Sequence, residues 1–250
     1  MRLYRSSNPA ISGRIFENAV NQGTYTDSMT ITGTINKVAL LIFLVIAGAS
    51  YTWRMVMSEN PTGAQTYVMI GAIGGLILAM VTIFRPRSAS ITAPLYAILE
   101  GLFLGGISAM INVKYQGIPF QAVLLTLGTL FAMLFLYRSG RLRATPKFRR
   151  GVFMATGAIF FSYLISFVFS LFGVNLGFMH SAGPIGILIN LVILVVAALN
   201  LILDFDFIER GSNMGAPKYM EWYGAFGLIV TLVWLYIEFL RLLSRFAGRN

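Results

Sequence analysis

The chain has 250 residues, of which 57% are hydrophobic and only 11% charged, and its formal net charge is +10. Soluble domains carry roughly a quarter charged residues, so a soluble protein of this size could not cover its surface with so few of them. Because the chain has no cysteine, disulfides, iron–sulfur clusters and thiolate metal sites are excluded. The composition therefore predicts an integral membrane protein.

A polar arm over residues 1–36 opens the chain, and Asn8-Pro9 within it is typical of the start of a short amphipathic helix. A bundle is predicted over 37–245, followed by a tail at 246–250. Its apolar segments lie at 38–57, 67–84, 92–112, 119–137, 152–172, 185–207 and 223–243. Each approaches the roughly 20 residues that a bilayer-spanning helix needs. Since no segment alternates like a barrel strand, the predicted fold is an all-α polytopic membrane bundle of about seven transmembrane helices.

The distribution of lysine and arginine between the loops predicts the orientation. Basic residues concentrate before the first segment and after the second, fourth and sixth segments. We therefore expect a cytoplasmic N-terminus in a multi-pass protein of the cell inner (plasma) membrane. The C-terminal Arg241, Arg245 and Arg249 oppose this count, so the last segment either spans against the rule, which is favoured, or is re-entrant. Because the basic residues flank apolar runs, their expected partner is the lipid bilayer and not nucleic acid.

Acidic residues inside the apolar segments are the strongest functional signal. Glu100, Asp204 and Glu238 lie well inside such segments, and Asp206 lies close to a helix end. A carboxylate at the centre of a transmembrane helix is disfavoured by about 2.5–3.5 kcal/mol, so such residues face a cavity, pair with one another or line an ion path. Asn200 shares a helix face with Asp204, whereas Asp206 points about 200° away. Two neighbouring carboxyls would share a proton as a pH sensor, and their oxygens would suit Ca²⁺; a structural hydrogen bond is the alternative.

Other chemistries lack the residues they need. The single histidine, His180, excludes an HExxH metal motif, and neither a serine nucleophile elbow nor the paired motifs of an intramembrane aspartyl protease are present. We therefore expect no enzyme activity, and no cofactor other than Ca²⁺ as a transported or bound ion. Small residues in the second and third segments predict close helix packing, at Gly71, Gly74, Gly75, Gly101, Gly105, Gly106 and Ser108.

Three stretches carry a resemblance to a known family: Glu100-Gly101-Leu102 to Ser108, Leu203 to Ile208, and Tyr236-Ile237-Glu238. Over about residues 35–245 the chain resembles the Bax inhibitor-1-like (transmembrane Bax inhibitor motif) family in its bacterial branch. The resemblance implies six helices around a central seventh and a pH-sensitive leak of Ca²⁺. It also implies that Asp204 and Glu238 form the governing carboxyl pair, and that Arg85 or Arg87 latches onto it.

The chain departs from the family pattern in two places. Glu238 stands where the family has aspartate, and the polar loop between the last two helices is longer. Because Asp204 lies near the end of its helix and Glu238 far along the next, the pair can meet only under certain conditions. The sixth helix must extend beyond Gly211, or the seventh must be bent or begin in a water-filled cavity.

The leading hypothesis is a pH-sensitive, Ca²⁺-permeable leak channel in which Asp204 and Glu238 sense protonation and are the candidate Ca²⁺ ligands. Further candidate contributors are Glu100, Asp206, Asn200, Arg85 and Arg87. The alternative is a non-conducting membrane regulator that binds a membrane protease or other membrane proteins through its small-residue faces. A proton-coupled transporter is a third hypothesis, but no inverted repeat supports it. The sequence leaves the oligomeric state open.

Overall fold

A computed structural model of the chain describes residues 28–58, 61–173 and 183–248. In these ranges lie the α-helices α1 Ile31–Met57, α2 Pro61–Phe84, α3 Ala89–Lys114, α4 Ile118–Arg138, α5 Pro146–Leu171, α6 Pro184–Asn213 and α7 Met220–Ala247. A short 3₁₀ helix, Pro86–Ser88, joins α2 to α3. The described residues form no strand beyond one isolated bridge between Ser28 and Pro217. All seven helices are long and apolar enough to cross a membrane, which confirms the predicted polytopic helical bundle.

Several helices extend further than the apolar segments predict. α1 begins at Ile31, inside the predicted polar arm, because the Thr30 side chain caps it by accepting from the Gly33 amide at 3.0 Å. α5 begins at Pro146, inside the predicted basic loop, because Thr145 caps it in the same way. α6 continues to Asn213, through residues predicted to be a polar loop. Hydropathy marks where a helix is buried in lipid, whereas capping residues mark where it begins.

The end of the chain is also more helical than predicted. α7 is unbroken over its 28 residues and continues to Ala247, into the predicted tail. At 1.5 Å per residue such a helix can cross the bilayer, which favours the full span over the re-entrant alternative. α7 is the most deeply buried span, since 56% of its apolar window is buried against 11–44% for the other six. The short helix predicted within the polar arm, and Arg249, lie outside the described residues.

The chain divides into two compact units. The first unit contains the described part of residues 1–114 together with Asp204–Val230, and the second contains Tyr115–Leu203 with the described residues from Thr231 onward. α1, α2 and α3 therefore belong to the first unit and α4 and α5 to the second. α6 and α7 are each divided between the units: one part of each helix belongs to the first unit and the other part to the second.

Glycine–backbone contacts hold the helices of the first unit together. A Cβ at Gly48 or Gly101 would collide with backbone atoms across the α1–α3 contact, and a Cβ at Gly71 with backbone atoms of α3. Thr52 of α1 adds a hydrogen bond to the Leu102 carbonyl of α3 at 2.9 Å. Small residues permit such close approach in membrane helices, and the predicted packing role of the glycines in α2 and α3 is confirmed.

Polar contacts join the helices of the second unit. Asn200 of α6 donates to the Thr156 hydroxyl of α5 at 2.8 Å. Arg245 of α7 donates to the Gly186 carbonyl of α6. Arg245 therefore makes a contact inside the protein. This partly explains why it did not fit the predicted orientation when it was counted as a loop charge.

Candidate functional site

Glu238 lies in the interior of α7 and is almost completely buried, with 1% of its surface exposed. Its Oε1 accepts hydrogen bonds from the Tyr163 hydroxyl at 2.9 Å, from Trp234 Nε1 at 3.3 Å and from Arg241 Nη1 at 2.9 Å. Its Oε2 accepts from Asn190 Nδ2 at 2.7 Å and from the same Arg241 nitrogen at 3.1 Å. The carboxylate therefore joins α5, α6 and α7 of the second unit. We call these five residues the Glu238 site.

Only one partner in the Glu238 site carries a positive charge. Arg241 stands one turn after Glu238 on α7, and its side chain is 34% exposed, so part of it lies at the protein surface. The same guanidinium donates to the Tyr163 hydroxyl and lies over the Tyr163 ring, 5.2 Å from its centre. The tyrosine hydroxyl thus accepts from the cation and donates to the carboxylate. Arg241, counted from the sequence as a C-terminal loop charge, is a partner of Glu238 inside the protein.

Asp204 begins the α6 part of the first unit and is half-buried. One of its carboxyl oxygens lies 3.9 Å from the place that a Cβ on Gly227 would occupy. Asp204 therefore faces α7 where a glycine leaves room for it. α6 ends at Asn213, so it extends beyond Gly211. This was one of the conditions under which Asp204 and Glu238 could meet. Pairing between Asp204 and Glu238 stays a prediction.

The other predicted contributors on α6 have partners of their own. Asp206 forms an ion pair with Arg210, one turn further on, at 2.8 Å. Asn200 donates to Thr156, as described above, and to the Val196 carbonyl at 2.8 Å. Thr156 and Asn200 both belong to the second unit, whereas Asp204 belongs to the first. The roles predicted for Asp206 and Asn200 in the sensor stay predictions.

Glu100 lies near the middle of α3, against the glycine face of α2. Its Oε2 lies 2.8 Å from the place of a Cβ on Gly75, so the absence of a side chain at Gly75 leaves room for the carboxyl. Arg85 and Arg87, the predicted latch residues, have exposed side chains at the turn between α2 and α3. Their role as a latch also stays a prediction.

A second buried carboxylate was missed by the sequence analysis. Glu221, in the first turn of α7, has no exposed side-chain surface. Its Oε1 accepts from both the amide and the hydroxyl of Thr30 at 2.9 Å, and Lys218 Nζ lies 3.2 Å from the same oxygen. Its Oε2 pairs with Lys37 of α1. We call this group the Glu221 clamp, because it ties the start of α1 and the α6–α7 loop to the start of α7.

Neighbouring contacts reinforce the Glu221 clamp. Lys37 also lies over the Trp222 ring, 5.3 Å from its centre. The Met29 amide donates to the Ala216 carbonyl at 2.6 Å, and both residues are buried. A Cβ at Gly33 would collide with the Glu221 carboxylate. The carboxylate thus lies against the first turn of α1, where free amides and the helix dipole favour a negative charge.

Some of these partners could have been found in the sequence. Trp234 precedes Glu238 by four residues and Arg241 follows it by three, spacings that place side chains on one helix face. Asn190, a polar residue within an apolar run, was a further signal. Tyr163 and Lys37 come from distant segments, and no local pattern connects them to either carboxylate.

Within the described residues, no group of three or more histidine, cysteine or acidic side chains is arranged to hold a metal ion. The predicted Ca²⁺ site would therefore have to combine carboxylates with carbonyl, amide or water oxygens, as Ca²⁺ sites do. Asn190 and Tyr163 supply such oxygens beside Glu238.

Comparison with known proteins identifies the family. Neither curated proteins nor solved structures give a match. A model of the family described as Bax inhibitor 1 like matches residues 8–248, which is nearly the whole chain. The matched region contains all seven spans, the Glu238 site and the Glu221 clamp. The chain therefore belongs to the Bax inhibitor 1 like family of membrane proteins.

Proposed function

We propose that this protein is a pH-sensitive leak channel for Ca²⁺, with its N-terminus in the cytoplasm and its helices in the plasma (inner) membrane. Asp204 and Glu238 are the proposed proton-sensing pair. The observation that carries the proposal is the Glu238 site, a carboxylate 1% exposed in an apolar span and neutralised by one arginine.

The chemistry of this site supports a response to pH. An ionised carboxylate inside a membrane span is costly unless it is paired or hydrogen-bonded. In the Glu238 site the ionised form is paired with Arg241, and this pair joins α7 to α5 through Tyr163. A proton on Glu238 would remove the charge that holds Arg241, whose partly exposed side chain could then leave the carboxyl. One proton would thus loosen the contacts between three helices.

The choice of ion follows from the donor atoms. Carboxylate, amide and hydroxyl oxygens are hard ligands that suit Ca²⁺, and the chain has no cysteine and one histidine for softer metals. Asp204 would supply the second carboxylate, as the family resemblance implies.

Ca²⁺ flux in liposomes tests the proposal. Purified protein would be reconstituted with a trapped Ca²⁺ dye, and entry would be followed across pH. We expect Ca²⁺ entry whose rate changes with pH, and loss of that dependence when Asp204→Asn and Glu238→Gln are combined. Glu209→Gln is the matched control, because it removes an exposed carboxylate from the same helix as Asp204. Unchanged flux and an unchanged pH profile in the double variant would rule out the carboxyl pair.

A non-conducting regulator that binds membrane proteins is the second candidate. The glycine faces of α2 and α3, where the sequence suggested partner binding, are used inside the first unit. In the described part of the second unit, by contrast, a Cβ at Gly128 of α4 or at Gly157 of α5 would meet nothing within 4 Å. Open small-residue positions of this kind favour helix–helix association.

A pull-down separates the two candidates. A regulator would retain its membrane-protein partners in the Asp204→Asn, Glu238→Gln double variant, lose them in a Gly128→Leu, Gly157→Leu variant, and pass no Ca²⁺ in liposomes. A channel would pass Ca²⁺ as purified protein, without a partner.

A further inference from the structure

The turn between α4 and α5 carries most of the positive charge of the second unit. This unit contains nine basic residues and one acidic residue, so it holds +8 of the chain's net charge of +10. Its one carboxylate, Glu238, is already paired with Arg241. Five exposed basic side chains lie on the turn and the adjoining helix ends: Arg138, Arg141, Arg143, Lys147 and Arg150. We call these five residues the basic turn.

The basic turn differs from other charged parts of the protein in having no internal counter-charge. None of its five side chains forms an ion pair within the part of the chain that the structure describes. In the first unit, by contrast, Glu221 neutralises Lys37 and Lys218, and Asp206 pairs with Arg210. The counter-charge of the basic turn therefore has to come from outside the protein.

The backbone of the basic turn is well defined, so its charges are held close together. Gly140 has a positive φ of 71°, and its amide donates to the Tyr137 carbonyl at 3.0 Å. The Leu142 amide donates to the Leu136 carbonyl at 3.2 Å, and the Thr145 side chain caps the start of α5. The five positive charges are therefore confined to one short turn and the two helix ends that it joins.

The start of α5 adds to the positive potential of this surface. Lys147 and Arg150 lie in the first two turns of α5, and its first turn contains no acidic residue. The dipole of a helix favours an anion at its start and disfavours a cation there. α7 has the favourable arrangement, with Glu221 in its first turn. At the start of α5 an anion from outside the chain would supply the missing negative charge.

The surroundings of the basic turn favour a lipid over a soluble anion. α4 and α5 are both long and apolar enough to span a membrane. Phe135 precedes Arg138 by three residues and Phe153 follows Arg150 by three, and both phenylalanine side chains are exposed. An anionic phospholipid matches both features, because its phosphate can meet the cations while its acyl chains cover the aromatic rings. Clusters of basic residues beside membrane spans attract such lipids.

We propose that the basic turn is an interaction surface for the headgroups of anionic phospholipids, which it concentrates beside the second unit. This surface is separate from the Glu238 site and the Glu221 clamp. The proposal does not depend on ion conduction, so it can be tested whether or not the protein is a channel.

Quenching of a fluorophore attached to the turn tests the proposal. Because the chain has no cysteine, Ser139→Cys gives a single labelling site in the basic turn, and Gln116→Cys gives one in the turn between α3 and α4. The labelled full-length proteins would be reconstituted in phosphatidylcholine vesicles that contain a little nitroxide-labelled phosphatidylglycerol or phosphatidylcholine. We expect phosphatidylglycerol to be the stronger quencher at position 139, and the two lipids to quench nearly equally at position 116. Equal quenching by the two lipids at position 139, or the same preference at both positions, would overturn the proposal.

Neutral substitutions in the basic turn should remove the preference for phosphatidylglycerol. Lys147→Gln combined with Arg150→Gln should lower it about fivefold or more, since one basic residue near the surface contributes about fivefold. Arg54→Gln combined with Lys114→Gln is the matched control. It also removes two exposed positive charges, but these lie in the last turns of α1 and α3, where the helix dipole favours cations. An unchanged preference in the first variant, or an equal loss in the control, would contradict the proposal.

The dependence on salt provides a measurement that leaves the five basic residues intact. Raising NaCl from about 0.1 M to about 1 M shortens the Debye length from about 10 Å to about 3 Å, so the preference at position 139 should fall towards equal quenching. A preference that persists in 1 M salt would contradict an electrostatic lipid surface. If no lipid preference appears and a polyglutamate peptide binds the labelled turn instead, the surface serves an acidic protein segment and the lipid proposal is wrong.

Discussion

The Glu221 clamp and the Glu238 site place two buried carboxylates on the same helix, and they differ in how the charge is neutralised. Glu221 is paired with two lysines from two other segments, and it accepts two hydrogen bonds at the start of α1. Glu238 is paired with one arginine from its own helix, and its other donors are the neutral groups of Tyr163, Asn190 and Trp234.

This difference separates a structural carboxylate from a responsive one. A proton on Glu221 would have to displace two cations and weaken the cap of α1, so the clamp favours one charge state. A proton on Glu238 has to displace only a single, partly exposed cation. The clamp therefore holds helices together, whereas the Glu238 site can change its contacts with pH. The predictions below test this distinction.

The largest effect is expected from Glu221→Gln. The change leaves Lys37 and Lys218 without a counter-charge and weakens the cap of α1, so we expect about 3 kcal/mol of destabilisation, the lower end of the range for a broken buried pair. The lower end applies because the lysines are 18% and 50% exposed and can be hydrated. Unfolding in detergent or lipid measures it. A loss in Glu238→Gln equal to or larger than that in Glu221→Gln would erase the distinction.

Gly33→Ala should have the next largest effect. The new methyl group would collide with the Glu221 carboxylate, so we expect a loss of about 1–2 kcal/mol from overpacking. Gly157→Ala is the matched control, because a Cβ there meets nothing within 4 Å. The control should be neutral or stabilising, since alanine is the better helix former. Equal losses in both variants would mean that the Glu221 carboxylate does not lie against Gly33.

Tyr163→Phe tests the Glu238 site in the same way. The change removes one hydrogen bond to the carboxylate and one acceptor for Arg241, so we expect about 1 kcal/mol of destabilisation. It should also shift the midpoint of the pH dependence of flux, because the hydroxyl links Arg241 to the carboxylate. The flux assay measures the midpoint. A destabilised variant with an unmoved midpoint would assign Tyr163 a structural role only.

The smallest effect is expected from Lys218→Ala. This lysine is 50% exposed, and exposed ion pairs contribute little, so the unfolding free energy should fall by less than about 0.5 kcal/mol. Lys37 would still neutralise Glu221. A loss comparable to that of Glu221→Gln would show that the clamp depends on the exposed lysine.

Local features of the sequence predicted much of the fold. The seven spans follow from runs of apolar residues, and the close packing of α2 and α3 follows from glycines at helical spacing. Two helices begin earlier than the apolar segments predicted, after the capping residues Thr30 and Thr145. A single capping side chain can start a helix even where the neighbouring residues are polar.

The candidate site was predictable only in part. A carboxylate within an apolar run, Glu238, is visible in the sequence because its cost in lipid is high. Glu221 was not, because an acidic residue at the edge of an apolar run resembles an ordinary interface residue. Lys37 was counted as a topology signal, although it pairs with a residue 184 positions away. Such pairs are formed by tertiary packing, which periodicity does not encode.

The central claim is that Glu238 makes the protein respond to pH, and Ca²⁺ entry into liposomes across pH tests it most directly. The three proteins to compare, at equal amounts of folded protein, are the unaltered chain, Glu238→Gln and Glu221→Gln. We predict that Glu238→Gln abolishes the pH dependence of Ca²⁺ entry, while Glu221→Gln, although less stable, keeps it. A Glu238→Gln profile that superimposes on that of the unaltered protein would contradict the account.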